Sequence, residues 1–309
     1  MHTITRVFIA AVLSAVTISS AKAGNNNDDA QVIYVESAKY TLLLMEKWIA
    51  EYNKTNPGIQ VKRAEKNSEN IDLRIVANVE NDNSGENGKA ITYVGRSALL
   101  PVTTKKNPLY EQITRKKFGK RELKKLFFID DPLEDEDSSK DRLKEQLTVY
   151  SGSGKTSSAT LFASYFGLTS SDFRGKKIQG DDIYLLHAIS KDPTGITFNN
   201  LSYIYNLDDR RLKDDISLLP LNVKKDHLEI IKSENLDETI SLLEKEKVEL
   251  VPVLNIGFVH DEHSNAKQFL RWIIVEGQKF NHEFGFLQID EKTLSEQKDL
   301  LGDRLLSNK

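Results

Sequence analysis

AITYVGRSALLPV (residues 90–102) is the stretch that decides the fold, because it is apolar over more residues than a typical strand needs. A second apolar stretch, VELVPVLNIGFV (residues 248–259), lies near the other end of the chain. Both have the pattern of buried β-strands, and each is long enough to run from one folded unit into another. We therefore predict two lobes, with both termini in one lobe and the block between the two strands forming the other.

The predicted lobes divide the chain at these two strands. Lobe 1 comprises residues 24–100 and 256–309, and lobe 2 comprises residues 101–255. The chain opens with alternating patterns, in which QVIYV and IQVKR predict strands and residues 40–53 predict a helix. NSENIDLRIVANV (residues 67–79) predicts a second helix, capped by Asn67 or Ser68. This order predicts an α/β protein with mixed sheets flanked by helices.

The first 23 residues have the three-part layout of a secretory signal peptide. Arg6 supplies a basic start, an uncharged apolar run follows, and Ala21-Lys22-Ala23 forms a small-x-small cleavage site. The apolar run is too short to cross a bilayer as a helix, which disfavours a retained membrane anchor. We therefore predict cleavage after Ala23 and localisation in the periplasm.

Composition narrows the classes of partner. The chain has 43 basic and 46 acidic residues, a formal net charge of −3, and it becomes more acidic once the signal is removed. A mildly acidic protein of mixed charge has no electrostatic reason to bind nucleic acid or an anionic membrane. The absence of cysteine excludes disulfides and a lipid-anchoring cysteine.

YSGSGKTSS (residues 150–158) looks at first like the phosphate loop of a nucleotide-binding enzyme, but it fails the test. The P-loop requires a glycine five residues before Gly154, and that residue is Val149. A glycine-serine loop between a strand and a helix still gathers backbone amides at a helix N-terminus, which favours an anion. A simpler interpretation is that Ser151 or Ser153 caps the helix, and the two are compatible.

Few residues point to catalysis or metal binding. In His260-Asp261-Glu262-His263 the two histidines could share a metal, but a solvated helix entrance capped by Ser264 is favoured. The other internal histidines are scattered, and no nucleophilic constellation emerges. The acidic stretch 130–141 lacks EF-hand spacing and predicts a solvated loop. We predict that the protein is not an enzyme and has no cofactor or metal.

Several segments, in the right order, resemble the phosphate-binding proteins of ABC transporters. They are ESAKYTLLLMEKWIAEY, AITYVGRSALLPVTTKKNPL, KRELKKLF, SGSGKTSSATLFASYF, PTGITFNNLSYIYN and FLRWIIVEGQKFNHEFGFLQI, which are spread over nearly the whole mature chain. The resemblance implies a two-lobed type II periplasmic binding protein with a ligand cleft between its lobes.

The chain departs from that family at the loops that hold the ligand. The family loop reads Arg-x-Asp-Gly-Ser-Gly-Thr, and here Val149, Ser151 and Lys155 replace its Arg, Asp and Thr. In the family, the Arg makes charge-assisted bonds to phosphate, and the Asp accepts a bond from a protonated phosphate. In the first loop Ser37 is kept, and Glu36 replaces a glycine. Lys155, Lys39 or Arg96 would have to restore positive charge.

Two functions remain open. The first is a periplasmic solute-binding protein that binds phosphate or another small oxyanion for an ABC-type uptake system. The second is a ligand-lost relative that acts as an interaction partner in a cell-envelope complex. The first predicts a monomer that meets an inner-membrane ABC permease or another envelope complex. Its predicted ligand-binding residues are Ser37, Ala38, Arg96, Ser151, Gly152, Ser153, Gly154, Lys155 and Thr156.

Overall fold

Helices and strands alternate along the chain in a computed structural model that describes residues 31–65, 68–78, 89–129, 142–153, 158–261 and 264–302. The predicted signal peptide and the acidic stretch 130–141 lie outside the described residues. The described strands are β1 (Gln31–Glu36), β2 (Ile59–Arg63), β3 (Leu73–Asn78), β4 (Ala90–Thr104), β5 (Thr148–Gly152), β6 (Lys176–Ile178), β7 (Gly195–Asn200), β8 (Ile216–Leu218) and β9 (Val253–His260). The described α-helices are α1 (Leu42–Thr55), α2 (Tyr110–Arg115), α3 (Lys120–Phe127), α4 (Arg142–Gln146), α5 (Ser158–Tyr165), α6 (Ile183–Lys191), α7 (Leu201–Ile204), α8 (Lys225–Lys232), α9 (Leu236–Lys245), α10 (Lys267–Val275) and α11 (Glu291–Leu300).

The long strand β4 joins the two halves of the sheet. Its first part, Ala90–Ala98, pairs antiparallel with β9, and its second part, Leu99–Thr103, pairs antiparallel with β7. The strand order is β2-β1-β3-β9-β4-β7-β5-β6, and β8 also pairs with β4. Parallel pairs link β1 with β2 and β3, and link β5 with β6 and β7. The sheet is therefore mixed, as the sequence predicts.

Two hydrophobic cores form on either side of the point where β4 changes partner. The N/C core is built from β1 to β3, α1, α10, and the ends of β4 and β9 that carry Tyr93 and Phe258. The middle core contains Leu100 on β4 together with residues of β5, β7 and helices α3 to α9. Each core excludes water from its own set of side chains, which is the main source of stability for each unit. The predicted two-lobed α/β architecture is confirmed.

The predicted helix over residues 67–79 is wrong. Residues 73–78 form strand β3, which pairs parallel with β1 and antiparallel with β9. Leu73 is fully buried and Ile75 is 9% exposed, while Arg74 between them is exposed. Alternate residues of a strand point to opposite faces, so this two-residue period fits the N/C core. The apolar residues of this segment also fit a helical spacing. Pairing with two neighbouring strands, β1 and β9, favours the strand over the helix.

Helix α1 fixes the loop that follows β1. Its buried face is formed by Leu44, Met45, Trp48 and Tyr52. The Trp48 indole donates a hydrogen bond to the carbonyl oxygen of Gly277 at 3.0 Å, which ties the helix to the C-terminal segment. Over the described ranges of the chain, none of the helices has both the length and the apolar character to cross a membrane.

Candidate functional site

The glycine-serine loop begins where strand β5 ends. Ser151 is fully buried on β5, and its hydroxyl has no hydrogen-bond partner within the described part of the chain. Ser153 is exposed, and its amide donates to the carbonyl oxygen of Ile178 at 3.1 Å. Gly154, Lys155 and Thr156 lie outside the described residues. Gly152 is the last residue of β5, so the predicted loop leaves the sheet at the expected point.

The carboxylate of Asp182 meets the N-terminus of helix α5. The amide of Ser158, the first residue of α5, donates to Asp182 Oδ2 at 3.0 Å. The Ser158 hydroxyl donates to the same oxygen. Asp182 directly precedes helix α6. The carboxylate that meets the start of α5 therefore comes from a residue 24 positions further along the chain. A carboxylate at this position is stabilised by the unpaired amides and the dipole of the helix.

A chain of buried polar side chains extends from this contact into strand β4. The side-chain amide of Asn200 donates through Nδ2 to the Ser158 hydroxyl at 3.1 Å. The Asn200 side-chain oxygen accepts a bond from the Ser97 hydroxyl at 2.7 Å, and Asn199 donates to the carbonyl oxygen of Asp182 at 2.7 Å. These residues are almost entirely buried. Buried polar groups that satisfy one another hold a single geometry, so the network fixes α5, α6 and the end of β7 relative to β4.

One oxygen of Asp182 is left over. Oδ1 is buried and has no hydrogen-bond partner among the residues that the structure describes, and Asp182 itself is 9% exposed. Burial raises the pKa of Asp182, the two bonds from Ser158 oppose this, and the charge of Asp181 adds to the rise. A buried polar atom without a partner is rare in native proteins, and it marks a place where another group can bind.

Two tyrosines share the surroundings of Asp182. Burial raises the pKa of Tyr40 well above its usual range, and the charge of Asp182 raises it further. Burial also raises the pKa of Tyr203, and the neighbouring carboxylate of Asp181 and the charges of Asp182 and Tyr40 raise it further. Tyr40 packs against the N/C core and Tyr203 against the middle core. We call Tyr40, Ser158, Asp181, Asp182 and Tyr203 the interlobe cluster, because both cores contribute to it.

The first predicted loop leads directly into this cluster. Ser37 and Ala38 are half-buried and connect β1 to the short helix Lys39–Thr41, which contains Tyr40. The ammonium group of Lys39 lies 5.5 Å from the centre of the Tyr184 ring on α6. This cation–π contact brings the first loop against the segment that carries Asp182.

Arg96 is directed to the C-terminal segment. Its Nε donates to the carbonyl oxygen of Gln288 at 2.7 Å, and its amide donates to Leu287 at 2.9 Å. Burial lowers the pKa of Arg96, while the charges of Asp290 and Glu244 oppose that shift. The contacts of Arg96 therefore join β4 to the chain that follows α10.

Titratable clusters that resemble a metal site are absent from the described ranges. No group of three or more His, Cys, Asp or Glu residues there could hold a metal ion. His260 is buried and shares a hydrogen bond of 2.8 Å with the Thr92 hydroxyl. Glu262 and His263, the other half of the histidine motif, lie outside the described residues.

The binding residues predicted from the sequence do not include Asp182, Asn199, Asn200, Tyr40 or Tyr203. The one local signal for them is PTGITFNNLSYIYN, where an apolar strand ends in two asparagines and a tyrosine follows. Polar residues at the end of a buried strand need partners, which makes them candidates for a site. Asp182 gives no such signal, because its role depends on a helix that begins elsewhere in the chain.

Comparison with solved structures places this geometry on a known fold. The chain is similar to a protein from Clostridium perfringens that is assigned as a phosphate ABC transporter substrate-binding protein and was solved with bound phosphate. That match has a TM-score of 0.57 at 12% identity, over 84% of this chain and 100% of that one. An ABC-type phosphate transport receptor from Vibrio cholerae matches with a TM-score of 0.55 at 12% identity, over 83% of this chain and 100% of that one.

A possible phosphate binding protein from Planctomyces limnophilus matches with a TM-score of 0.51 at 12% identity, over 89% of this chain and 98% of that one. At this level of identity the likeness shows the fold. No protein-family model matches the chain, and the comparison with curated proteins finds no match.

Proposed function

We propose that this chain is a periplasmic solute-binding protein that holds phosphate or another small oxyanion between its lobes and delivers it to an ABC-type permease. The interlobe cluster carries this proposal, because Tyr40 packs against the N/C core, Tyr203 packs against the middle core, and the charge of Asp182 acts on both. The likeness of the fold to phosphate-binding receptors supports the same interpretation. The protein acts as a monomer, and it performs no catalysis.

The proposed lobes divide the chain close to the point where β4 changes partner from β9 to β7. Lobe 1 comprises residues 24–100 and 256–309, lobe 2 comprises residues 101–255, and the signal peptide is removed after Ala23. The ligand binds between the loop of Ser37 and Ala38 and the loop of residues 151–156. Backbone amides of the second loop and the end of α5 supply donors, and Lys39 and Lys155 supply positive charge.

Titration of the mature protein with an anion panel tests this function. We expect phosphate, sulfate, molybdate or a related oxyanion to produce saturable heat in calorimetry. Binding also raises the unfolding temperature with ligand concentration, because a ligand that binds only the folded state stabilises it by mass action. Heat that never rises above dilution, for every anion in the panel, would contradict the proposal.

Ser153→Ala tests the place of the ligand. Ser153 is exposed at the start of the loop, so its hydroxyl is accessible to a bound anion. A hydrogen bond to a charged group contributes about 1.5–3 kcal/mol, so we expect anion affinity to fall at least about tenfold. The free energy of unfolding should change by less than about 0.5 kcal/mol, as for most surface substitutions.

Ser164→Ala is the matched control. Ser164 is exposed on α5, and its hydroxyl donates to the carbonyl oxygen of Leu161 at 2.9 Å. We expect its anion affinity to equal that of the unmodified protein. Equal affinities for the Ser153 variant and this control would place the ligand elsewhere.

A second function has an observation of its own. The carboxylate of Asp182 already occupies the end of α5 where an oxyanion would bind. In a ligand-lost receptor that serves as an interaction partner in an envelope complex, the protein's own carboxylate would occupy the former anion site in this way. Tight anion binding, coupled to closure of the lobes in solution X-ray scattering, would exclude this second function.

A further inference from the structure

Within the interlobe cluster, the Asp182 carboxylate lies where the proposed oxyanion would bind. An inference from this contact rests on the proposed oxyanion function. We propose that the Asp182 carboxylate is an internal anion that competes with an oxyanion for the N-terminus of α5, so that the site binds its ligand when Asp182 carries a proton. Asp182 thereby controls the affinity of the site.

The first step is the contact between Asp182 and α5. A single carboxylate oxygen accepts both the amide and the hydroxyl of Ser158. Helix α5 has eight residues, and the amides of its first turn are the groups that attract an oxyanion. A second negative charge brought to the same helix end would lie against the first in a buried setting. Like charges in such a setting disfavour each other strongly.

The second step is the unpaired oxygen. Asp182 Oδ1 is buried and without a partner in the described part of the chain. A proton on Oδ1 turns this oxygen into a donor, while Oδ2 keeps both bonds from Ser158. The protonated side chain therefore offers an oxyanion a hydrogen bond where the charged side chain repels it. No bond seen in the structure has to break for this change.

The third step concerns the groups that face Asp182. They are Asp181 on the same segment, Ser158 and Asn199, which hydrogen-bond to Asp182, and Tyr40 and Tyr203, on which the charge of Asp182 acts. Burial raises the pKa of both tyrosines, so both stay neutral beside Asp182. Burial raises the pKa of Asp182, so its proton is kept to higher pH than usual. Affinity for an oxyanion then rises as pH falls through that pKa.

Calorimetric titration with sulfate tests the inference, because sulfate keeps its charge between about pH 8 and about pH 5. We expect the unmodified protein to bind sulfate more tightly at the lower pH, because the burial that raises the pKa of Asp182 favours its protonated form as pH falls. Asp182→Asn keeps an acceptor for Ser158 and removes the charge. We expect this variant to bind sulfate at least about tenfold more tightly than the unmodified protein at about pH 8, with no pH dependence.

Asp172→Asn is the matched control. Asp172 also accepts an amide and a hydroxyl with one carboxylate oxygen, both from Thr169 at 2.8 and 2.9 Å, but it is only half-buried and lies on a different segment. Its substitution removes the same charge and the same type of contact. We expect its sulfate affinity and pH dependence to match those of the unmodified protein.

The opposite result has a clear meaning. If Asp182→Asn weakens binding of phosphate and sulfate, Asp182 assists the ligand as a charged acceptor. The competition is then refuted while the oxyanion function stands. If Asp182→Asn binds sulfate no more tightly than the unmodified protein at about pH 8, the competition is refuted as well. If neither protein binds any anion at either pH, the oxyanion function itself fails.

Discussion

Phe162→Ala is expected to lower the free energy of unfolding by about 3–5 kcal/mol, the range for removing a buried phenylalanine. Phe162 is fully buried on α5. Its ring stacks on that of Phe198 with 4.2 Å between centroids and 6° between planes, and it meets Phe127 edge to face at 5.3 Å. A cavity left among rigid aromatic rings collapses poorly, so the loss should lie near the upper end of that range.

Chemical denaturation followed by circular dichroism measures this loss, with Leu43→Ala as the control. Leu43 is 56% exposed on α1, so its truncation should change stability by less than about 0.5 kcal/mol. The Phe162–Phe198 pair also holds α5 against β7, where Ser158 meets Asn200. A loss below about 1 kcal/mol for the Phe162 variant would show that these rings are not a packed unit.

The fold could be predicted from sequence where the signal was local. AITYVGRSALLPV and VELVPVLNIGFV predict strands, and β4 and β9 form there and pair over Ala90–Ala98. The apolar face predicted after the glycine-serine loop corresponds to α5, which buries Phe162 in the middle core. Long apolar runs and amphipathic faces depend on burial alone, and burial is visible in the order of residue types.

Strand β3 and the Asp182 contact could not be predicted from the sequence, because both depend on contacts between distant segments. Residues 73–78 satisfy both a strand and a helix pattern, and only the neighbours β1 and β9 make them a strand. The glycine-serine loop was recognised as a helix entrance, but the group at that entrance comes from Asp182, on another segment. A sequence pattern that is read within one segment does not reveal a carboxylate supplied by another.

Gly175→Ala is expected to lower the free energy of unfolding by about 2–5 kcal/mol. Gly175 has φ of +82°, a backbone conformation that costs a non-glycine residue about 1–2 kcal/mol. A Cβ at this position would overlap the carbonyl oxygen of Val149 on β5. Overpacking against backbone adds about 1–3 kcal/mol, because the carbonyl can yield only if β5 moves.

Two other glycines separate these two costs. Gly167 has φ of +74°, and a Cβ added to it would meet no atom within 4 Å, so Gly167→Ala should show the conformational cost alone. Gly58 has neither a positive φ nor a close neighbour, so Gly58→Ala should be neutral or slightly stabilising. Denaturation of the three variants should rank them in the order 175, 167, 58, and equal losses at 175 and 167 would exclude the predicted overlap.

Gly175→Ala should also weaken anion binding at the proposed ligand site. Gly175 directly precedes β6, and β6 pairs with β5 over Tyr150 to Gly152. The amide of Ser153 donates to Ile178 on β6, so the start of the glycine-serine loop rests on this strand. A displaced β6 would therefore move the loop while leaving Asp182 bound to α5. Under conditions where the Gly175 variant stays folded, we expect its anion affinity to fall at least about tenfold, by analogy with the single lost hydrogen bond of the Ser153 variant. The Gly167 variant should keep the affinity of the unmodified protein, because no strand contact of the loop depends on it.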